Sequence, residues 1–365
     1  MSVNRYLDSE GALKPHFKPS VLSRKLVAWF EKNRRYLPWR AHFQKHRDPY
    51  AVWVSEVMLQ QTQISAVIPK YEAFMKALPS VESLASAHEE TLRLLTSGMG
   101  YYRRFKFLHE GARQISKRGE FPSTHAELLK IKGIGEYTAS AVASICFNEP
   151  EAVVDGNVER IMCRLFDIRL PPNLPALKPA FKKTLNQIID RKAAGSFNEG
   201  IMELGQRVCK PQNPLCKDCP LTTHCLSHKN DSQHLAPAKK EKKAFKKISL
   251  HVQIPQDRCS GKILLPKRSA ESRFLKDMRG FEMIEIKQPD EKRELKGTKK
   301  ENLPKNKFPT FNHTITNHKL TVSVEVTAVQ GSQNKEMNFY SKSEILDNVE
   351  SSFDKKALKT CWDQL

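Results

Sequence analysis

No apolar run in the 365-residue sequence approaches the roughly 20 residues that a membrane-spanning helix needs. The opening residues, MSVNRYLDSEGALKPHF, lack the apolar core of an export signal, so a bacterial cytoplasmic location is expected. No internal repeat is present, which argues against a repeat array. Acid is in short supply. Asp and Glu number 40 against 61 Lys and Arg, leaving a net charge of +21. A chain this basic attracts polyanions, nucleic acid first among them. Outside one tight cluster the cysteines (Cys146, Cys163, Cys259 and Cys361) are scattered, so no disulfide framework is legible.

The length suits two domains, each large enough for its own core. Residues 1–228 read as the first domain, and 20–230 as mostly helical. VLSRKLVAWFEKN (21–33), VWVSEVMLQQTQISAVIPKYEAFMKAL (52–78) and LLKIKGIGEYTASAVASICF (128–147) place apolar residues at helical spacing. Pro38, Pro49, Pro69, Pro79 and Pro122 punctuate helix ends or kinks. Residues 229–247 are polar, basic and non-periodic, and read as a linker. The pattern then changes. ISLHVQI (248–254), GKILLPKR (261–268), FEMIEIK (281–287) and KLTVSVEVTAV (319–329) alternate apolar and polar residues as strands do, so 248–350 reads as a mixed α/β domain. Residues 288–307, rich in Lys, Glu and Pro, read as an exposed loop.

Three motifs carry chemistry. Cys209, Cys216, Cys219 and Cys225 stand at spacing C-x6-C-x2-C-x5-C, and four thiolates this close can surround one metal centre. Zinc is one reading, although zinc modules usually show two paired knuckles rather than one close pair flanked by singles. The loop also holds Lys210, Lys217 and His224, which suits contact with phosphate and a structural role. The second motif, LLKIKGIGEYTASAVAS (128–144), sets a K-G-I-G turn between two helical segments. Gly133 and Gly135 permit tight turning and close approach of a phosphate, and the helix that follows offers free N–H donors. The third is a pair of carboxylates. Glu56 lies in the otherwise apolar or amide stretch WVSEVMLQQT, where burial would raise its pKa. Asp155, in AVVDGNVERIM, precedes a helical segment and suits an N-cap, a role that can coexist with catalysis. Two carboxylates in one helical domain match cleavage of an N-glycosidic bond, one protonating the leaving base and one stabilising the cationic sugar.

The hairpin, the Asp155 motif and the four cysteines resemble the endonuclease III superfamily of DNA glycosylases. Tyr137 in G-I-G-E-Y-T, V-D-G-N-V, LPWR (37–40), SEVMLQQTQ (55–63) and GMGYYRR (98–104) resemble the MutY branch within it. The resemblance implies a mainly α helix–hairpin–helix glycosylase domain with a [4Fe-4S] cluster on the four cysteines. It also implies a monomeric protein acting on double-stranded DNA that contains adenine opposite 8-oxoguanine or guanine. By position, Glu56 would protonate adenine and later activate water, Asp155 would stabilise the sugar, Tyr137 would support the intermediate, and Asn157 would position the carboxylates. Gln61 and Tyr101 would insert into the duplex so that adenine can flip out. Trp39, Arg40 and Glu199 resemble adenine-pocket residues.

The C-terminal part resembles the Nudix-related domain of that branch, with 261–285 matching its opening hairpin and helix. It lacks the acidic Nudix metal motif, so no pyrophosphohydrolase activity is implied. The guanine-reading loop departs from the family's H-T-F-S-H: His313 onward reads H-T-I-T-N, leaving Thr316 to supply a hydroxyl. Two other readings stand beside this one. The first is a glycosylase/lyase on oxidised pyrimidines, against which Tyr137 argues because lyase chemistry wants an amine. The second is a non-catalytic DNA-binding module, against which the placement of Glu56, Asp155 and Tyr137 argues.

Overall fold

The computed structural model describes residues 3–172, 174–239, 244–269, 271–276, 278–286, 300–301, 308–329 and 338–365. The chain divides into two compact units, Met1–Glu241 and Lys242–Leu365. Among the described residues no helix is long and apolar enough to cross a membrane.

The first unit is helical and has two apolar cores. One gathers around Leu22, Leu26, Val158, Phe181 and Phe197. The other gathers around Trp53, Met58, Phe74, Phe105 and Val142. The hairpin helix Glu136–Phe147 belongs to both: Ala141 packs into the first core, Ala139, Val142 and Ala143 into the second. Its buried run, Thr138 to Ser144, consists of small residues and one valine, so helices approach it closely on every side. The helix Pro49–Leu59 is likewise buried from Tyr50 to Met58. Pro49 opens it and the Asp48 side chain accepts from the Tyr50 N–H at 3.0 Å. The apolar stretch 52–78 does not continue as one helix. It breaks at residues 60–63, where Gln61 takes a left-handed φ of 57°, and resumes as Ile64–Ala77.

The segment expected to be a linker is shorter than its composition indicated. Residues 226–229 are helical, and 231–238 pack on the first unit. The Arg164 Nε–H donates to the carbonyls of Gln233 and Ala236, and the Ser232 hydroxyl donates to Asp167. A polar segment therefore reads as linker in the sequence while a buried arginine from elsewhere ties down its backbone.

The second unit is built on a mixed sheet. β1 (Lys246–Asp257) pairs antiparallel with β3 (Glu282–Ile286) and β2 (Ile263–Leu264), and parallel along its whole length with β6 (His318–Val329). β5 (Thr310–Ile315) forms a hairpin with β6; β4 (Lys300–Glu301) and β7 (Phe339–Tyr340) extend the edges. The unit runs on to Leu365, past the expected limit of 350. The helix Ser352–Thr360 buries Phe353, Ala357 and Leu358 against the sheet core. One expectation for this region needs correction. No helix forms among the described residues of 265–281, where the Arg268 guanidinium instead holds the loop by bonding the Phe281 carbonyl and Asp354. The loop read at 288–307 lies outside the described residues apart from the short β4.

Candidate active site

Between the two helical cores lies a cavity of about 860 Å³ whose walls include Glu56, Tyr137, Asp155, Asn157, Arg40 and Glu199. Residues spread over 160 positions of sequence thus meet at one place. Glu56 reaches it from the Pro49–Leu59 helix, Tyr137 from the first turn of the hairpin helix, and Asp155 from the start of Gly156–Leu165.

Glu56 is 6% exposed. Burial pushes its pKa up to about 7; the Tyr137 hydroxyl pulls it down, while Glu199 and Asp155 push it further up. The carboxyl is therefore balanced between its acid and its anion near neutral pH, the condition in which one group can give and later take a proton. Tyr137 is held the other way. Burial, followed by the Glu56 and Asp155 charges, raises its pKa well above the ordinary value, so it stays a phenol. Its hydroxyl also donates to Met202 Sδ at 3.0 Å.

Asp155 is the N-cap of its helix, as its position before a helical segment indicated. Its Oδ1 accepts from the Asn157 and Val158 backbone N–H groups at 2.9 and 2.8 Å, and its Oδ2 from the Asn157 side-chain amide at 3.0 Å. A helix N-terminus favours an anion. The Asn157 amide oxygen in turn accepts from Arg160 at 3.0 Å. Gly205 leaves the room for this: a Cβ there would stand 2.7 Å from the Asn157 Cβ.

Trp39 is 5% exposed and does two jobs, packing edge-on to Tyr71 at 5.5 Å and lining the cavity. Arg40 donates to Glu199 at 2.6 Å and to Glu203 at 3.2 Å. Burial raises the pKa of Glu199 against the pull of Arg40. Glu203 was not singled out in the sequence. It accepts from Arg35 at 2.6 Å as well as from Arg40 and is almost wholly buried; burial pushes its pKa up, but the two guanidinium groups more than offset this and leave it lowered. Its spacing was a usable signal. Glu199 and Glu203 stand four apart on the helix Ala194–Arg207, where like charges repel unless cations sit between them.

Gln61 and Tyr101 are not among the cavity walls. Both are exposed and both have left-handed backbones, φ 57° and 47°. The two hairpin glycines differ. Gly133 has φ 82°, and a Cβ there would lie 2.6 Å from the Phe107 Cβ, so only glycine fits. Gly135 is the N-cap of the hairpin helix in extended backbone at φ −94°, and a Cβ there would meet nothing, so turning the chain does not require glycine there. Thr316 belongs to the second unit, at the β5–β6 turn. It is exposed, with φ 51°, and its hydroxyl donates to the Ile315 carbonyl at 2.7 Å.

The four cysteines lie apart from the cavity. Cys209, Cys219 and Cys225 pack against the first core. Burial pushes the Cys219 thiol up to about 12 and the Cys225 thiol to about 11. Beside them Arg164 is 4% exposed. It donates to the Lys210 and Pro211 carbonyls and, at 3.4 Å, to Cys209 Sγ. Among the described residues no carboxylate pairs with it. A buried guanidinium next to four thiols has the donor set and the counter-charge to fit an anionic thiolate-ligated centre.

Comparison with known proteins agrees with this architecture. Residues 54–181 match the family described as HhH-GPD superfamily base excision DNA repair protein. In fold the chain is similar to a thermostable thymine-DNA glycosylase, with a TM-score of 0.52 at 24% identity over 58% of this chain and 97% of that one. The helical unit has the fold of a helix–hairpin–helix DNA glycosylase. Adenine DNA glycosylases are similar in sequence: that of Rattus norvegicus is 43% identical over 222 residues, covering 59% of this chain and 43% of its own. That of Buchnera aphidicola subsp. Acyrthosiphon pisum (strain APS) is 32% identical over 241 residues, covering 65% of this chain and 68% of its own. The chain belongs to the adenine DNA glycosylase family. It spans about two fifths of the length of the mammalian relatives it matches.

Proposed function

We infer that the protein hydrolyses the N-glycosidic bond of adenine standing opposite 8-oxoguanine or guanine in duplex DNA. The observation that carries this reading is Glu56, a buried carboxyl with its pKa near 7 on the wall of the same cavity as Asp155 and Tyr137. In its acid form Glu56 donates a proton to a ring nitrogen of the extruded adenine, which then leaves as a neutral base. Asp155, held rigidly by three N–H donors, faces the cationic sugar and stabilises it. Glu56, now an anion, accepts a proton from the water that attacks the sugar. Tyr137 stands where a lyase would need an amine, so the chain hydrolyses without a Schiff base. Cys209, Cys216, Cys219 and Cys225 would hold a [4Fe-4S] cluster that fixes the loop and its lysines for phosphate contact.

Single-turnover assay of an adenine:8-oxoguanine duplex should show base release without strand cleavage. Borohydride added to the same reaction should trap no covalent complex. A trapped complex on oxidised pyrimidine instead would favour the lyase reading, and binding with no base release would favour a non-catalytic module.

The second unit is proposed as a Nudix-related reader of the base opposite adenine. Thr316 offers a hydroxyl at an exposed hairpin turn, and Ile315 replaces an aromatic ring that could lean on the base stack. Aromatic contacts are worth ~0.5–1.5 kcal/mol beyond their area. The preference for 8-oxoguanine over guanine should therefore persist but be weaker than in a relative with the aromatic loop. Thr316→Ala should lower the ratio of single-turnover rates on the two duplexes further; an unchanged ratio would remove Thr316 from recognition.

A further inference from the structure

Arg104 is 8% exposed, and among the described residues no carboxylate pairs with it. It sits in the first turn of the helix Arg103–Arg118, where the helix dipole disfavours a cation, and burial lowers its pKa. Such a placement is costly unless the donors are used; both terminal nitrogens are bonded, while Nε–H has no partner among the described residues. One nitrogen, Nη1, donates to the carbonyls of Val57 at 3.0 Å, Met58 at 3.1 Å and Gln60. The other, Nη2, donates to the Thr62 hydroxyl at 2.9 Å and the Met99 carbonyl at 3.1 Å.

The acceptors identify what is being tied. Val57 and Met58 belong to the last turn of the helix that carries Glu56, where Val57 also accepts the capping Gln60 N–H at 3.3 Å. Gln60 and Thr62 flank Gln61, held at φ 57°. Met99 precedes the Gly100–Tyr101 turn, with φ 66° and 47°. Left-handed backbone at a glutamine and a tyrosine is unfavourable and persists only where the surroundings impose it. One guanidinium thus joins the end of the Glu56 helix to both turns that present exposed side chains, Gln61 and Tyr101.

The geometry points to Arg104 as a positioning residue that holds Gln61 and Tyr101 as a fixed pair beside the catalytic helix, so that the two enter the duplex together and extrude adenine. This rests on the reading of the protein as an adenine glycosylase. Planarity matters to the role. A lysine keeps the charge but cannot span two loops with a flat fork of donors.

The test uses the full chain and two substrates, an adenine:8-oxoguanine duplex and the same strand with adenine opposite an abasic site, where extrusion costs less. Arg104→Lys should slow single-turnover release about 100-fold on the mispair, as expected of misplaced groups near a reacting centre. It should slow release on the abasic-site duplex by less than about threefold, by the same reasoning. Adding Gln61→Ala to Arg104→Lys should cost little more, since coupled residues are non-additive. Should Arg104→Lys melt before assay, Thr62→Val removes one acceptor only and should show the same substrate split at about tenfold, in keeping with one lost charge-assisted bond. Equal loss on both substrates, or full additivity with Gln61→Ala, would make Arg104 a general stabiliser and overturn the proposal. Failure of the unaltered protein to release adenine from either substrate would instead overturn the reading on which it rests.

Discussion

Glu56→Gln should slow adenine release by roughly 10²–10⁴-fold while leaving duplex affinity near that of the unaltered protein. The amide keeps the shape of the side chain in a wholly buried setting but has no acidic proton to give. The same group sets the pH response. Its pKa is raised from the ordinary carboxyl value to about 7, so the acid form fades as pH rises through 7 and the rate should fall with it. Stability carries the opposite signature in the variant. Between the unfolded value of 4.5 and about 7, the folded protein retains a proton that the unfolded chain has lost, so ionising Glu56 costs stability as pH climbs through that window. The cost reaches about 3 kcal/mol above pH 7 at 1.36 kcal/mol per unit. Glu56→Gln should therefore be more stable than the unaltered protein at pH 8 and equal to it near pH 4. Denaturant melts at both pH values, beside single-turnover rates, test the two halves together. Native-rate turnover by the variant would refute the assignment of the acid.

Loss of the proposed iron–sulfur centre should have the second largest effect. Purified protein should be yellow-brown, with broad absorption near ~400 nm. Cys219→Ser should abolish that colour and destabilise the first unit. The reason lies in Arg164, whose guanidinium is buried beside Cys209 and, among the described residues, bonds only carbonyls and a thiol. Anionic thiolates supply its counter-charge. Without them an unpaired charge stays buried, at a cost of about 3–5 kcal/mol. Arg164 also holds the backbone at Gln233 and Ala236, so residues 209–238 should become sensitive to limited proteolysis in Cys219→Ser. A colourless native protein with one stoichiometric zinc would show that the cysteines serve a different metal.

Much of the site could be read before the structure. Glu56 stood out because an acid interrupts a stretch that is otherwise apolar or amide; the fold decided that it lines the cavity rather than capping the helix or facing solvent. Asp155 stood out as an N-cap, and the four cysteines by spacing. What escaped notice was held by partners distant in sequence. Glu203 matters because Arg35 and Arg40 converge on it from 163 and more residues away. Arg104 looked like one basic residue among 61 Lys and Arg, and only its acceptors on two turns distinguish it. The helix ending at Ser352–Thr360 was missed because the alternating strand pattern had already ended, and its apolar side gains meaning only against the sheet.

The sequence alone determined local matters: where apolar residues fall at helical or alternating spacing, which residue can cap a helix, and that four cysteines crowd into residues 209–225. These follow from backbone sterics and periodicity, which act over a few residues. Tertiary structure decided the rest. A carboxyl becomes an acid useful at neutral pH only when two cores close around it and remove its water. A guanidinium becomes a clamp only when two turns fold onto it. Desolvation and convergent hydrogen bonding depend on what surrounds a group, and chain order does not specify those surroundings.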